Sequence, residues 1–164
     1  MHYNIVTELE KEIGGLLRRS GLTLGLVESA TGGLISHMIT SVPGSSDYYK
    51  GSVTAYNNQI KISLVRVGKE TIEKYGVVSS QVAEEMAHGG RRLLEVDVCL
   101  SDTGIAGPGG ATAGKPVGLF YIGLSYKSGT FSREHIFEGD RAQNRQAAAE
   151  AALSWLREYL LGLE

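Results

Sequence analysis

Ser29 lies in Val27-Glu28-Ser29-Ala30-Thr31-Gly32-Gly33, directly after the apolar run of residues 22–27. That order reads as a strand, a tight turn and the opening of a helix. Such a turn displays a hydroxyl and turns the first helical N–H groups toward developing negative charge, as a hydrolytic nucleophile requires. Ser29 or Thr31 can equally serve only as the helix cap. Tyr56 and Lys61 form the second candidate group. Their five-residue spacing keeps them apart on one helix, yet they converge if Tyr56 ends a strand and Lys61 sits one turn into the next helix. Between Ile60 and Ile62, Lys61 is placed for partial burial, which lowers a lysine pKa and makes a base able to deprotonate a serine. A solvated lysine on a short helix is the alternative.

The third group is Thr103-Gly104-Ile105-Ala106-Gly107-Pro108-Gly109-Gly110. Glycines this dense after a strand allow backbone N–H groups to converge on a phosphate or carboxylate, or make a flexible connection. Lys115 follows and suits either a phosphate contact or solvent. Several familiar chemistries lose support. Residues 109–115 match the G-x-x-x-x-G-K portion of a phosphate-binding P-loop, but Pro116 stands where Ser or Thr must hold magnesium, and a strand pattern follows instead of a helix. No G-x-G-x-x-G occurs, and Tyr56 and Lys61 miss the Tyr-x-x-x-Lys spacing of dehydrogenases. His2, His37, His88 and His135 show no metal-ligand spacing, so no metal site is expected, and no Ser-His-acid set is legible from spacing. His37, one turn into the Ser29 helix, is the histidine nearest to the candidate chemistry.

The elements that must position these groups follow from periodicity. Leu9, Ile13, Leu16 and Leu17 predict a first helix ending near Gly21, and residues 23–27 a first strand. A helix over 33–40, a strand over 48–56 and a short helix capped by Asn57 or Asn58 come next. Ser79 opens a longer helix, 97–101 is a third strand entering the loop 104–114, and 117–126 with 130–137 form a hairpin around Ser128-Gly129. Asp140 and Gln143 open a last helix. Helices alternating with strands before a late hairpin predict an α/β fold: a three-layer α/β/α sandwich with a mixed, mostly parallel sheet and an antiparallel edge strand. The three candidate segments fall at strand carboxyl ends, where such sheets bind ligands, and are expected to share one cleft.

The 164 residues, 42% apolar and 21% charged, are expected to make one soluble domain over 1–164. A net charge of −2 supplies no basic field for nucleic acid. Cys99, within an apolar run, reads as a buried free thiol. Residues 1–11 lack the features of a signal segment, and no membrane-length apolar run occurs, so a cytoplasmic protein is expected. Tyr48, Tyr49 and the apolar carboxy terminus offer surface for a homo-oligomer, the homodimer being the commonest arrangement.

Over nearly its whole length the chain resembles the CinA carboxy-terminal domain family, whose members act as nicotinamide-nucleotide amidases. The resemblance is carried by Glu28-Ser29-Ala30-Thr31-Gly32-Gly33, Val42-Pro43-Gly44-Ser45-Ser46, Tyr56-Asn57-Asn58-Gln59-Ile60-Lys61, Gly76-Val77-Val78-Ser79, the loop from Thr103 to Gly110, Lys115-Pro116-Val117-Gly118 and Gly139-Asp140-Arg141. Ala30 stands where the family usually has Cys or Met, and Gln59 where it usually has Glu. The resemblance implies hydrolysis of the carboxamide of nicotinamide mononucleotide to nicotinic acid mononucleotide and ammonia, without metal or cofactor. It implies Ser29 as nucleophile, Lys61 as base and Tyr56 as assisting hydroxyl. Thr103, Gly104, Gly107, Gly109, Lys115, Arg141 and Arg145 would lie near the nucleotide; the chemistry of amide hydrolysis, read from the residues themselves, adds the backbone N–H groups of Thr31, Gly32 or Gly33 as oxyanion donors. The competing expectations are a non-catalytic pyridine-nucleotide sensor and an interaction domain in a competence or damage response.

Overall fold

Alternation along strand β1 (Leu24–Glu28) divides the molecule into layers. Leu24 and Leu26 point to one face of the sheet and Val27 to the other, and all three are buried. The computed structural model describes residues 6–164; His2 and the start of the 1–11 segment lie outside the described residues. Among the described residues five strands form one sheet in the order β2-β1-β3-β4-β5. β2 (Tyr49–Thr54) and β3 (Val98–Gly104) run parallel to β1, whereas β4 (Leu119–Tyr126) and β5 (Gly129–Ile136) make an antiparallel hairpin at the edge.

On one face α1 (Glu8–Ser20), α2 (Leu34–Thr40) and α6 (Arg141–Leu161) bury Ile13, Leu17, Ile35, Ile39, Leu153 and Leu156 against Leu24, Leu26, Val98 and Leu100. On the other, α5 (Ser80–Leu93) sets Val82 and Met86 against Val27 and the buried free thiol of Cys99. Gly90 permits that approach: a Cβ there would stand 2.2 Å from Val27 Cγ2 and 2.8 Å from Cys99 Sγ. The three-layer sandwich is therefore present, with the hairpin as its antiparallel edge. Asn57 caps α3 (Asn58–Ser63), Ser79 caps α5, and Asp140 with Gln143 forms a capping box on α6.

Two boundaries differ from the sequence expectation. A helix without a forecast, α4 (Lys69–Tyr75), has no buried residue and no side-chain cap of its own; the Glu85 carboxylate on α5 accepts from the Gly68 N–H at 2.7 Å instead. Apolar periodicity has nothing to report there. β3 also runs three residues further than forecast, because Ser101, Asp102 and Thr103 are buried with partners inside the protein. Thr103 and Gly104 thus belong to the strand, paired with Tyr121 and Phe120, and the glycine loop begins only at Ile105. Among the described residues no helix is long and apolar enough to cross a membrane.

Candidate active site

Because β1, β2 and β3 are parallel, their carboxyl ends meet at one edge of the sheet, and the three candidate segments do share a cleft. A cavity of about 190 Å³ is lined by Ser29 and Ala30 after β1, Tyr56, Asn58 and Lys61 around the start of α3, Thr103 and Gly104 at the end of β3, and Arg141 on α6. Val77 and Val78 supply an apolar wall.

Lys61 is 1% exposed and Ser29 8%. The lysine Nζ reaches the serine, donating to Ser29 Oγ at 2.9 Å and to the Ala55 carbonyl at 2.6 Å. Burial holds the Lys61 pKa below its ordinary value of 10.5, with the Asp102 charge acting weakly the other way. A neutral amine suits this seat, since it can donate one N–H to Ala55 and accept the Ser29 hydroxyl proton on its lone pair. Lys61 and Tyr56 converge only in lining the same cavity, and the burial of Lys61 exceeds what its sequence setting implied.

Two buried carboxyl groups fix the Ser29 turn. Asp102 accepts from the Ser29 N–H at 3.0 Å and the Thr31 N–H at 3.1 Å, and its carboxyl shares a 2.5 Å hydrogen bond with the Thr31 hydroxyl. Glu28 accepts from the Thr31 hydroxyl at 2.6 Å and from the N–H groups of Gly33, Ile35 and Ser36 at 2.8–3.0 Å. Burial raises the Asp102 pKa to about 6. Sequence reasoning passed over Asp102 as a site residue; its signal was a charged residue ending an apolar strand, as Glu28 ends β1.

These contacts correct the expectation for Thr31, Gly32 and Gly33. Their N–H groups are taken by Asp102, by the Ser29 carbonyl at 3.1 Å and by Glu28 respectively, so none faces the cleft as a free donor. Among the described residues the Ala30 N–H has no acceptor, and Ala30 lines the cavity.

Arg145 is drawn away from ligand contact: its guanidinium donates to the Ala30 carbonyl at 3.1 Å and the Thr31 carbonyl at 2.7 Å, tying α6 to the nucleophile turn. Lys115 Nζ donates to the Tyr75 carbonyl at 2.6 Å, and neither it nor Gly109 lines the cavity. The Thr103 hydroxyl donates to the Val77 carbonyl at 2.8 Å, holding the apolar wall against β3. Gly107 lies in an adjoining depression shared with Arg141, whose guanidinium donates to the Gly107 carbonyl at 2.8 Å and to the Tyr56 hydroxyl at 3.2 Å. Tyr56 is 62% exposed and stands at the rim, with no hydrogen bond to Ser29 or Lys61. Among the described residues no three His, Cys, Asp or Glu side chains gather in a metal-holding group.

The assembly offers a buried serine beside a lysine of lowered basicity, an open N–H on the next residue and a fixed cation at the mouth. Such a set suits acyl transfer. Comparison with known proteins agrees with the fold and the motifs. A "Putative competence-damage inducible protein" of Halothermothrix orenii is 50% identical over 155 residues, covering 94% of this chain and 38% of that protein. A "CinA-like protein" of Dictyoglomus thermophilum is 48% identical over 157 residues, covering 96% and 38%. The chain thus spans under two fifths of the length of these curated relatives. The crystal structure of the competence/damage inducible protein CihA of Agrobacterium tumefaciens superposes with a TM-score of 0.87 at 36% identity, covering 91% of this chain and 92% of that one. The competence damage-inducible protein A of Klebsiella pneumoniae reaches 0.93 at 27% identity, covering 98% and 100%. Residues 6–160 match the CinA C-terminal domain, and the chain belongs to that family.

Proposed function

We propose that the cleft is a metal-independent serine amidase that hydrolyses the carboxamide of nicotinamide mononucleotide, giving nicotinic acid mononucleotide and ammonia. The observation that carries this reading is the buried 2.9 Å contact between Lys61 Nζ and Ser29 Oγ. Lys61 takes the hydroxyl proton as Ser29 Oγ bonds to the carboxamide carbon, and the oxygen of the tetrahedral adduct faces the Ala30 N–H. Lys61 then returns that proton to the amide nitrogen, the C–N bond breaks and ammonia leaves, with an ester on Ser29. Water adds to the ester with Lys61 again as base; the carboxylate departs and Ser29 regains its proton.

The lining and the family membership support this choice of substrate. Val77 and Val78 offer an apolar surface for a pyridine ring, and Arg141 in the same lining supplies a cation for the phosphate of the mononucleotide. Tyr56, held by Arg141, closes the rim beside it. Arg145 acts on the turn and Arg141 on the ligand, so the two arginines separate kinetically. Arg145→Ala is expected to lower kcat about tenfold to a hundredfold through a displaced nucleophile, with KM little changed. Arg141→Ala is expected to raise KM for the mononucleotide by a similar factor, the worth of about 1.5–3 kcal/mol for a charged hydrogen bond, with kcat little changed. The opposite pattern would exchange their roles.

The direct test is ammonia release from nicotinamide mononucleotide in metal-chelated buffer, with the product identified chromatographically. Binding in calorimetry without turnover would replace the amidase with the sensor reading.

A further inference from the structure

Two carboxyl groups lie under the nucleophile, and the hydrolysis as written does not use them. Glu28 and Asp102 are fully buried on the neighbouring strands β1 and β3. Thr31 Oγ1 sits between them, 2.6 Å from Glu28 Oε2 and 2.5 Å from Asp102 Oδ2. Both distances are those of short, charge-assisted hydrogen bonds. Two such contacts require two protons, and a threonine hydroxyl brings one. The second has to sit on a carboxyl. Glu28 accepts three N–H groups, from Gly33, Ile35 and Ser36, whereas Asp102 accepts two, from Ser29 and Thr31, so the anion is the better held at Glu28.

The surrounding charges bear on the same choice. β1 contributes Glu28, α3 contributes Lys61, and α6 contributes Arg145, whose guanidinium is occupied by the Ala30 and Thr31 carbonyls. On β4 the register partner of Asp102 is the apolar Ile122, and α5 packs on the opposite face, where Ser101 donates to the Ala83 carbonyl. Burial moves Asp102 up and Lys61 down, the direction that favours the uncharged form of each. With one proton between them, either Asp102 is an acid beside a free amine, or a carboxylate faces an ammonium. The threonine bridge distinguishes these arrangements, because only the first supplies its second proton.

We infer that Asp102 is the seat of this proton: a neutral acid donating to Thr31 Oγ1, which in turn donates to the Glu28 carboxylate, leaving Lys61 as the free base. Asp102 is then a positioning residue. It touches no reacting atom, holds the Ser29 and Thr31 N–H groups, and by its neutrality keeps Lys61 unprotonated; this last consequence rests on the amidase reading.

NMR of protein carrying ¹³C at the aspartate carboxyl and ¹⁵N at the lysine Nζ reads both groups directly. Their signals are assigned by loss in Asp102→Asn and Lys61→Met proteins, or by through-bond correlation to the assigned backbone should the first not fold. The expected result is a carboxyl for Asp102 that is still protonated at a pH where an ordinary aspartate is ionised, with an amine for Lys61 at that same pH. Thr31→Val keeps the shape and removes the bridge. It is expected to move the signals to carboxylate and ammonium, and to lower kcat about tenfold for each unit by which the Lys61 titration rises above the assay pH, with KM unchanged; Thr31→Ser restores both. A carboxylate and an ammonium in the parent protein, or parental signals in Thr31→Val, would overturn the inference. Because these signals do not depend on turnover, an inactive protein with a protonated Asp102 counts against the amidase reading alone. Ammonia release by a protein with an ionised Asp102 counts against this inference alone.

Discussion

Ser29→Ala protein is expected to release ammonia roughly 10⁴-fold more slowly than the parent, or slower still, while continuing to bind the mononucleotide. Lys61→Met is expected to lose about 10²- to 10⁴-fold, the range of a positioned general base. The double variant should be no slower than the worse of the two, because each removes the same proton-transfer step and residues acting as a unit do not add. Single-turnover rates on folded protein, checked by thermal unfolding, decide it; additive losses would mean that the 2.9 Å contact between these side chains is not the reacting pair. The pH profile gives a second check. Burial depresses the folded pKa of Lys61, so the free base, and with it kcat/KM, grows as pH rises through a value below the ordinary 10.5. A rising limb at the ordinary lysine value would remove Lys61 from the role of base.

Glu28→Ala is expected to cost about 3–5 kcal/mol of stability, the range for removing one partner of a buried charged network. The side chain takes four donors: the Thr31 hydroxyl and the N–H groups of Gly33, Ile35 and Ser36. Removing it strands these groups away from water at the point where β1 passes into α2. Urea unfolding should show a lowered midpoint at unchanged m, which reports lost stability and not a changed unfolded state. Glu12→Ala is the control. Glu12 accepts from Arg157 at 2.6 Å on the surface, and its removal should leave the midpoint near that of the parent, because exposed ion pairs are screened and entropically costly. Equal losses for the two variants would show that the Glu28 network is relaxed by water. Since Asp102 shares Thr31 with Glu28, Glu28→Ala should also slow turnover.

Amino-acid order determined the parts of this protein that rest on local chemistry. Periodicity and caps placed α1, α5 and α6 and the strands that follow or precede them, since a helix stripe, an Asn57 or Ser79 cap and an Asp140–Gln143 box act within a few residues of themselves. The parallel arrangement of β1, β2 and β3 was legible in their alternation with helices, and with it the meeting of three distant segments in one cleft. What only the tertiary structure decided is how the polar groups are spent. Lys115 and Arg145 read as ligand cations until the fold supplied backbone carbonyls to each. Thr31, Gly32 and Gly33 read as open donors until Glu28 and Asp102, the latter over seventy residues away in the chain, claimed two of them. Spacing fixes which groups can reach one another, whereas a hydrogen bond goes to whichever acceptor the packing brings within about 3 Å, and in a buried site that choice also sets which groups carry charge.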